Sequence, residues 1–180
     1  PSQLQYGHLS ALYEIKPQAV AADAHPDFYS SRYAEEVAHK NKAHFFSIYH
    51  HAAHIAVAMA ELNRSAPTVG LALDGVGLGP GNAIWGGELL WIKPDGFARL
   101  GSLLPLPLPG ADKAALEPRR MGASVLTVLG KPDLIGEFFP NLPHAEHFDQ
   151  LVNNLSLSPL TSSVGRLFDA LSALLGLCEV

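Results

Sequence analysis

Cysteine is nearly absent: Cys178 is the single thiol in 180 residues, which excludes an internal disulfide and any zinc site built from several cysteines. Charge is sparse as well. Only 16% of residues are Asp, Glu, Lys or Arg, with twelve basic residues against seventeen acidic ones and a formal net charge of −5. No basic run occurs, so a dedicated nucleic-acid binder is not expected. No apolar stretch approaches the roughly 18–20 residues of a membrane span. The start, Pro1-Ser2-Gln3-Leu4-Gln5, has neither the basic flank nor the apolar core of a signal peptide. A soluble, cytoplasmic domain is the expectation. An initiating Met is missing too, which suggests numbering that begins inside a longer gene product.

Apolar residues make up 48% of the chain, enough at this length for one core and too many for wholesale disorder. Sixteen glycines and fourteen prolines exceed the average of roughly 12% for the two together, and they gather between Gly70 and Gly110. There are nine histidines, and His50, His51 and His54 lie within five consecutive positions.

Apolar spacing predicts a helix from Leu4 to Ile15, closed by Pro17. A short buried strand, Ala19–Ala22, follows, then a helix capped by Ser30 or Ser31 and running to about His39. His44–Tyr49 reads as a strand that passes directly into a helix, His50–Asn63. Thr68–Asp74 is an apolar strand ending on a carboxylate, and Gly75–Asn82 a glycine-rich loop. Ile84–Ile92 and Phe97–Leu106 form two strands around the turn Lys93-Pro94-Asp95-Gly96. Asp112 is the expected cap of a helix reaching Leu129, restarted or kinked at Pro118. Shorter helices near 133–139 and 145–154, a polar loop 156–163 and a last helix Val164–Leu175 complete the chain. The order implies an α/β fold with a parallel first part (1–66) and an antiparallel meander plus helices in the second (67–180).

His50 and His54 stand four apart, so on a helix they project from one face and can grip one metal ion. No Glu follows His50, which excludes the HExxH protease pattern. From spacing alone, metal binding stands level with histidines that merely start a helix. A further ligand from a strand end is needed, and Asp74, opening Asp74-Gly75-Val76-Gly77-Leu78-Gly79, is the obvious source. Glycines there permit close backbone approach to phosphate oxygens, while an ordinary turn is the competing reading. Asp23, His25 and Asp27 cluster after a strand, Glu88 lies on a strand, and Arg119 and Arg120 could meet an anion. His144 and His147 are expected at the surface. No Ser-His-Asp triad or reactive-cysteine pattern can be assembled.

Set side by side, these segments resemble a known family. The blocks are Asp23-Ala24-His25-Pro26-Asp27-Phe28-Tyr29-Ser30-Ser31-Arg32-Tyr33-Ala34, His50-His51-Ala52-Ala53-His54, Leu73-Asp74-Gly75 with Trp85-Gly86-Gly87-Glu88, Glu117-Pro118-Arg119-Arg120-Met121, and Ser162-Ser163-Val164-Gly165-Arg166-Leu167-Phe168-Asp169. In this order they resemble the HypF-type carbamoyltransferases of nickel–iron hydrogenase maturation, in their TsaD-like domain. The resemblance implies a partial actin/hexokinase-like fold, the end of one ribonuclease-H-like half and the start of the next.

The resemblance also implies a chemistry. A carbamoyl group, activated as carbamoyl-adenylate from carbamoyl phosphate and ATP, passes to the C-terminal cysteine of a HypE-like acceptor. His50, His54 and Asp74 would then hold a divalent metal (zinc, iron or magnesium) that carries phosphate oxygens. His51 would approach the carbamoyl group, and Gly75, Gly77, Gly165, Arg166 and Asp169 would line the nucleotide side. Two departures stand out: the family's triple-histidine run is here His50-His51-Ala52, and the Trp of its EPWRM block is Arg119. The YrdC-like segment that makes carbamoyl-adenylate is not found, so a fragment unable to carry out the whole reaction is expected. The alternatives are a non-catalytic binding or assembly module derived from that domain, an O-carbamoyltransferase, or a tRNA-modifying TsaD.

Overall fold

The structure, a computed structural model, describes residues 2–178. Helix α1 (Ser2–Leu12) ends before the apolar spacing does, because Glu14 turns the chain with φ +52°. Strand β1 (Ala19–Asp23) and strand β2 (His44–Ile48) pair in parallel, with Asp23 opposite Ile48. The helix between them, α2 (Tyr29–Asn41), makes the crossover that a parallel pair requires. Neither serine caps α2: Phe28 precedes it, and Ser31 Oγ instead donates to the Asp23 carbonyl at 2.9 Å. That bond ties the first turn of α2 to the end of β1.

Tyr49 is extended, and the chain moves from β2 into α3 (His50–Glu61) with one residue between them. The next element departs from expectation. Strand β3 runs from Thr68 to Gly79, so most of the expected Gly75–Asn82 loop is strand, interrupted by a bulge between Leu73 and Gly77. The glycines are there for contact. A Cβ on Gly77 would lie 2.6 Å from His51 Cε1, and one on Gly79 would lie 2.3 Å from Trp85 Cε2. Within Gly75–Asn82, positive φ is confined to Gly81 and Asn82, in the connection to β4 (Ala83–Lys93). Strand β5 (Gly96–Ser102) completes an antiparallel meander in the order β3-β4-β5.

α3 lies on one face of this meander, where Ile55, Ala72, Trp85 and Leu90 form a buried cluster. Gly70 lets the helix approach; a Cβ there would stand 2.4 Å from Ile55 Cγ2. The expected second strand of the hairpin stops at Ser102, and Leu106–Pro107 (β6) pairs with Leu160–Thr161 (β7), inside the segment expected as a polar loop.

Asp112 sits in the first turn of α4 (Asp112–Leu116) rather than at its cap, a position occupied by Ala111. Pro118 then opens a separate helix, α5 (Pro118–Val128), where its missing N–H costs no hydrogen bond. The short helices α6 (Ile135–Phe138) and α7 (Phe148–Asn153) wrap a cluster containing Ala123, Ile135, Phe139 and Val152. α8 (Val164–Leu174) packs on α5 through Met121 and Ala170. Among the described residues, no helix is long and apolar enough to cross a membrane.

Candidate metal centre

Three side chains from two elements converge. α3 contributes His50 and His54 from one face, and β3 contributes Asp74 at its bulge. One ligand atom from each lies within 4.8 Å of the others. His50 Nε2 is 3.2 Å from His54 Nε2 and 3.1 Å from Asp74 Oδ2.

The protonation pattern follows from a fourth residue. His50 Nδ1 lies 2.9 Å from Asp23 Oδ2. An ionised carboxylate only accepts, so Nδ1 carries the proton and the lone pair of a neutral ring sits on Nε2. Asp23 is itself fixed, because its Oδ1 accepts the His25 N–H at 2.8 Å. A carboxylate behind an imidazole in this way is the usual outer support of a metal ligand.

The donor set fits a divalent cation. The bare Nε2 of His50 faces a carboxylate oxygen, and Asp74 Oδ2 is buried with no hydrogen-bond partner, its approach to His50 being off hydrogen-bond geometry. Asp74 Oδ1 is held by the Gly75 N–H at 2.7 Å. His54 Nε2 can donate to the bare His50 Nε2 in one tautomer, but Asp74 Oδ2 then still lacks a donor, and a cation between the three would answer all of them. Two imidazoles and a carboxylate suit zinc or iron; magnesium would take Asp74 and complete its shell with water and phosphate.

His51, the residue between the ligands, points inward. It is fully buried, packs edge-on against Trp85 at 5.8 Å, and its Nε2 is 4.0 Å from Asp74 Oδ2. Burial pushes its pKa below the usual imidazole range, against the carboxylates of Asp74 and Glu88, which pull it up. Neither ring nitrogen has a well-formed hydrogen bond. His51 is therefore a buried imidazole, with burial favouring its neutral form, beside the convergence.

Gly75 and Gly165 come together, since a Cβ on Gly165 would lie 3.7 Å from Gly75 Cα. Gly77 lies under His51 instead. Arg166 and Asp169 pair with each other at 3.0 Å, one turn apart on α8, and Arg166 Nη1 is buried without a hydrogen-bond partner. His25 stacks on Phe28 with ring centroids 4.3 Å apart. Arg119 and Arg120 both bond to Glu117 at 3.1 Å, and His144 and His147 are exposed. Spacing alone picks out neither Asp23 nor Glu88 as part of the site. Asp23 stands behind His50, and Glu88 is a fully buried carboxylate held by Arg99 Nε at 2.6 Å. Arg99 carries no local signal of this role: it pairs with Leu90 on the neighbouring strand, while Ser102 stands opposite Glu88.

Comparison with known proteins identifies the family. Residues 2–61 match the family model described as the HypF Kae1-like domain, and residues 70–180 match the carbamoyltransferase, Kae1-like domain, second subdomain. Carbamoyltransferase HypF2 of Cupriavidus necator is 46% identical over 172 residues, covering 96% of this chain and 21% of that protein. Carbamoyltransferase HypF of Rhizobium leguminosarum bv. viciae is 41% identical over 169 residues, covering 94% and 22%. The crystal structure of full-length HypF in its phosphate- and nucleotide-bound form superposes with a TM-score of 0.79 at 29% identity, covering 98% of this chain and 23% of that one. The chain thus spans about a fifth of the length of these curated relatives, and its α/β fold is that of the matched structure, of the actin/ribonuclease-H-like class. With both Kae1-like family models matched in order along its length, the chain belongs to the HypF carbamoyltransferase family.

Proposed function

We propose that this chain forms the metal-holding part of a carbamoyl-transfer site, which acts on carbamoyl-adenylate and delivers the carbamoyl group to the C-terminal cysteine of a HypE-like acceptor. The observation that carries the reading is the convergence of His50, His54 and Asp74 within 4.8 Å, with Asp23 behind His50. A divalent metal held there would supply Lewis-acid neutralisation of the phosphate oxygens of the adenylate.

The chain's own residues do the rest. Asp23 keeps the His50 ring turned with Nε2 toward the site, and the Gly75 N–H holds Asp74 in place. His51, neutral and walled in by Trp85, keeps water away from the carbamoyl side and offers it an uncharged ring nitrogen. Gly75 and Gly165 leave their backbones open to nucleotide phosphates, Arg166 supplies positive charge, and Asp169 accepts from a ribose hydroxyl. In the transfer, the acceptor thiolate attacks the carbamoyl carbon. A C–S bond forms, the C–O bond to the adenylate phosphate breaks, and AMP leaves with the electron pair.

The test is metal content followed by single transfer. The chain loaded with Zn²⁺ and gel-filtered is expected to hold one equivalent of metal by mass spectrometry, and His50→Ala/His54→Ala to hold almost none. Unchanged metal in the double variant overturns the site. Supplied with carbamoyl-adenylate and a cysteine-ended peptide, the loaded chain is expected to yield the S-carbamoyl peptide. Folding and acceptor binding with neither metal nor nucleotide affinity would make it a binding module instead.

A further inference from the structure

Glu88 lies outside the metal centre, and burying a carboxylate is costly unless each oxygen is answered by a donor. Here each is. Arg99 Nε donates to Oε2 at 2.6 Å, with its guanidinium 4.9 Å above the Trp85 ring. The other oxygen, Oε1, accepts from the Ser162 hydroxyl and, at 3.2 Å, from the Gly86 N–H. The Ser162 carbonyl in turn accepts the Gly87 N–H at 2.7 Å. Ser162 is therefore fastened to β4 by both its side chain and its backbone.

What Ser162 holds is the approach to α8. The next residue, Ser163, sits so close to β4 that a Cβ on Gly86 would fall 2.3 Å from its Cα. Its hydroxyl accepts the Arg166 N–H at 3.1 Å and so caps α8. Two residues on, Gly165 meets Gly75, whose N–H holds Asp74. A continuous line of contacts thus runs from Glu88 through Ser162 and Ser163 to the first turn of α8, then to the strand that bears Asp74. An apolar pair of similar volume would fill the space under Gly86 equally well, but it would not aim a hydroxyl or fix a cap.

We propose that Glu88, held by Arg99, is a positioning residue for the nucleotide side of the site: through Ser162 it sets where Gly165 and Arg166 stand relative to Gly75 and Asp74. This rests on the nucleotide role proposed above for α8. Its signature is a graded effect, since the hydrogen bonds of Glu88 lead first to α8 and reach Asp74 only beyond it, through Gly165 and Gly75, and none of them goes to His50 or His54.

Two variants of the full chain test it. Ser162→Ala removes the hydroxyl that joins Glu88 and the Gly86 N–H to this segment, and leaves the Glu88–Arg99 pair and the Gly87 N–H bond to the Ser162 carbonyl. Glu88→Gln keeps the shape and removes the charge. Both are expected to weaken binding of a fluorescent ATP analogue with Mg²⁺ at least tenfold, while Zn²⁺ affinity stays within threefold of wild type. Hydrogen exchange is expected to rise at residues 163–167 and not in α3. Val152→Ala, a cavity in the distant helical cluster, controls for lost stability and is expected to bind the analogue normally. Equal analogue binding by wild type and Ser162→Ala, or an equal loss of Zn²⁺ and analogue, overturns the positioning role. A wild-type chain that binds no analogue overturns the nucleotide reading itself, and this proposal with it.

Discussion

One hydrogen bond, from His50 Nδ1 to Asp23, decides which nitrogen of the imidazole is left bare. Removing the charge of Asp23 while keeping its shape permits the other tautomer and a turned ring. Asp23→Asn is therefore expected to lower Zn²⁺ affinity by roughly 10–100-fold, read by calorimetric titration. Affinity equal to wild type would leave Asp23 without a part in the site. The histidine pair was legible in the sequence, because spacing of four is a local property of a helix. Asp23 does not stand out as a partner of His50, because no local rule relates it to a residue 27 positions on. The parallel register does so instead: Asp23 faces Ile48, and His50 begins the helix two residues after Ile48. His51 shows the same limit from the other side. Its adjacency to two ligands was plain, but its burial against Trp85 depends on a strand more than thirty residues away.

Among the elements, the junction between α4 and α5 depends on Glu117. Burial acts to raise the pKa of this carboxyl, but hydrogen bonds from Arg119 and Arg120, with their positive charges, outweigh it and hold the pKa below the usual carboxylate range. A carboxyl with a lowered folded-state pKa adds stability that is present above the unfolded value and is lost as pH falls through the folded one. Glu117→Gln is thus expected to be less stable than wild type at pH 7, with the gap closing below about pH 4. Urea titrations at both pH values measure it, and a gap independent of pH would show that the charge of Glu117 has no part. The break at Pro118 was readable, since proline cannot continue a helix but can begin one. The glycine-rich segment after Asp74 was misread for a physical reason. Glycine suggests a turn because turns need positive φ, yet Gly77 and Gly79 are strand residues that yield room to rings of His51 and Trp85. A side chain's absence looks the same in sequence whichever need it serves.

Across the whole molecule, the apolar interior is divided. One cluster lies between α3 and the meander, one among α5, α6 and α7, and a third where α5, α8 and β6 meet. The candidate centre joins α3 to β3, and through Asp23 it reaches the β1–β2 pair. Metal binding at such a junction stabilises the folded chain by mass action. At a free Zn²⁺ concentration near 100 times its Kd the gain is about 2.7 kcal/mol, or a rise in Tm of about 5–11 °C for a chain of this size. Thermal unfolding with and without EDTA checks the figure. The His50→Ala/His54→Ala variant is expected to show no shift, and an equal rise in it would place the bound metal elsewhere. The α/β order and the meander were readable from periodicity. The division of the core was not, because each cluster unites residues far apart in the chain.

At the bulge of β3, two consecutive residues serve different neighbours: Asp74 meets the histidines of α3, and Gly75 meets α8. The peptide bond between them works as a ruler between the cation end and the nucleotide end of the proposed chemistry. Residues 74–76 lie between the paired positions Leu73 and Gly77, so inserting or deleting one residue in this bulge would hand each neighbour the wrong partner. Chain length, and not only residue identity, is then part of the specification at this point, whereas at the exposed connection Pro80–Asn82 it is residue identity that the positive φ of Gly81 and Asn82 restricts.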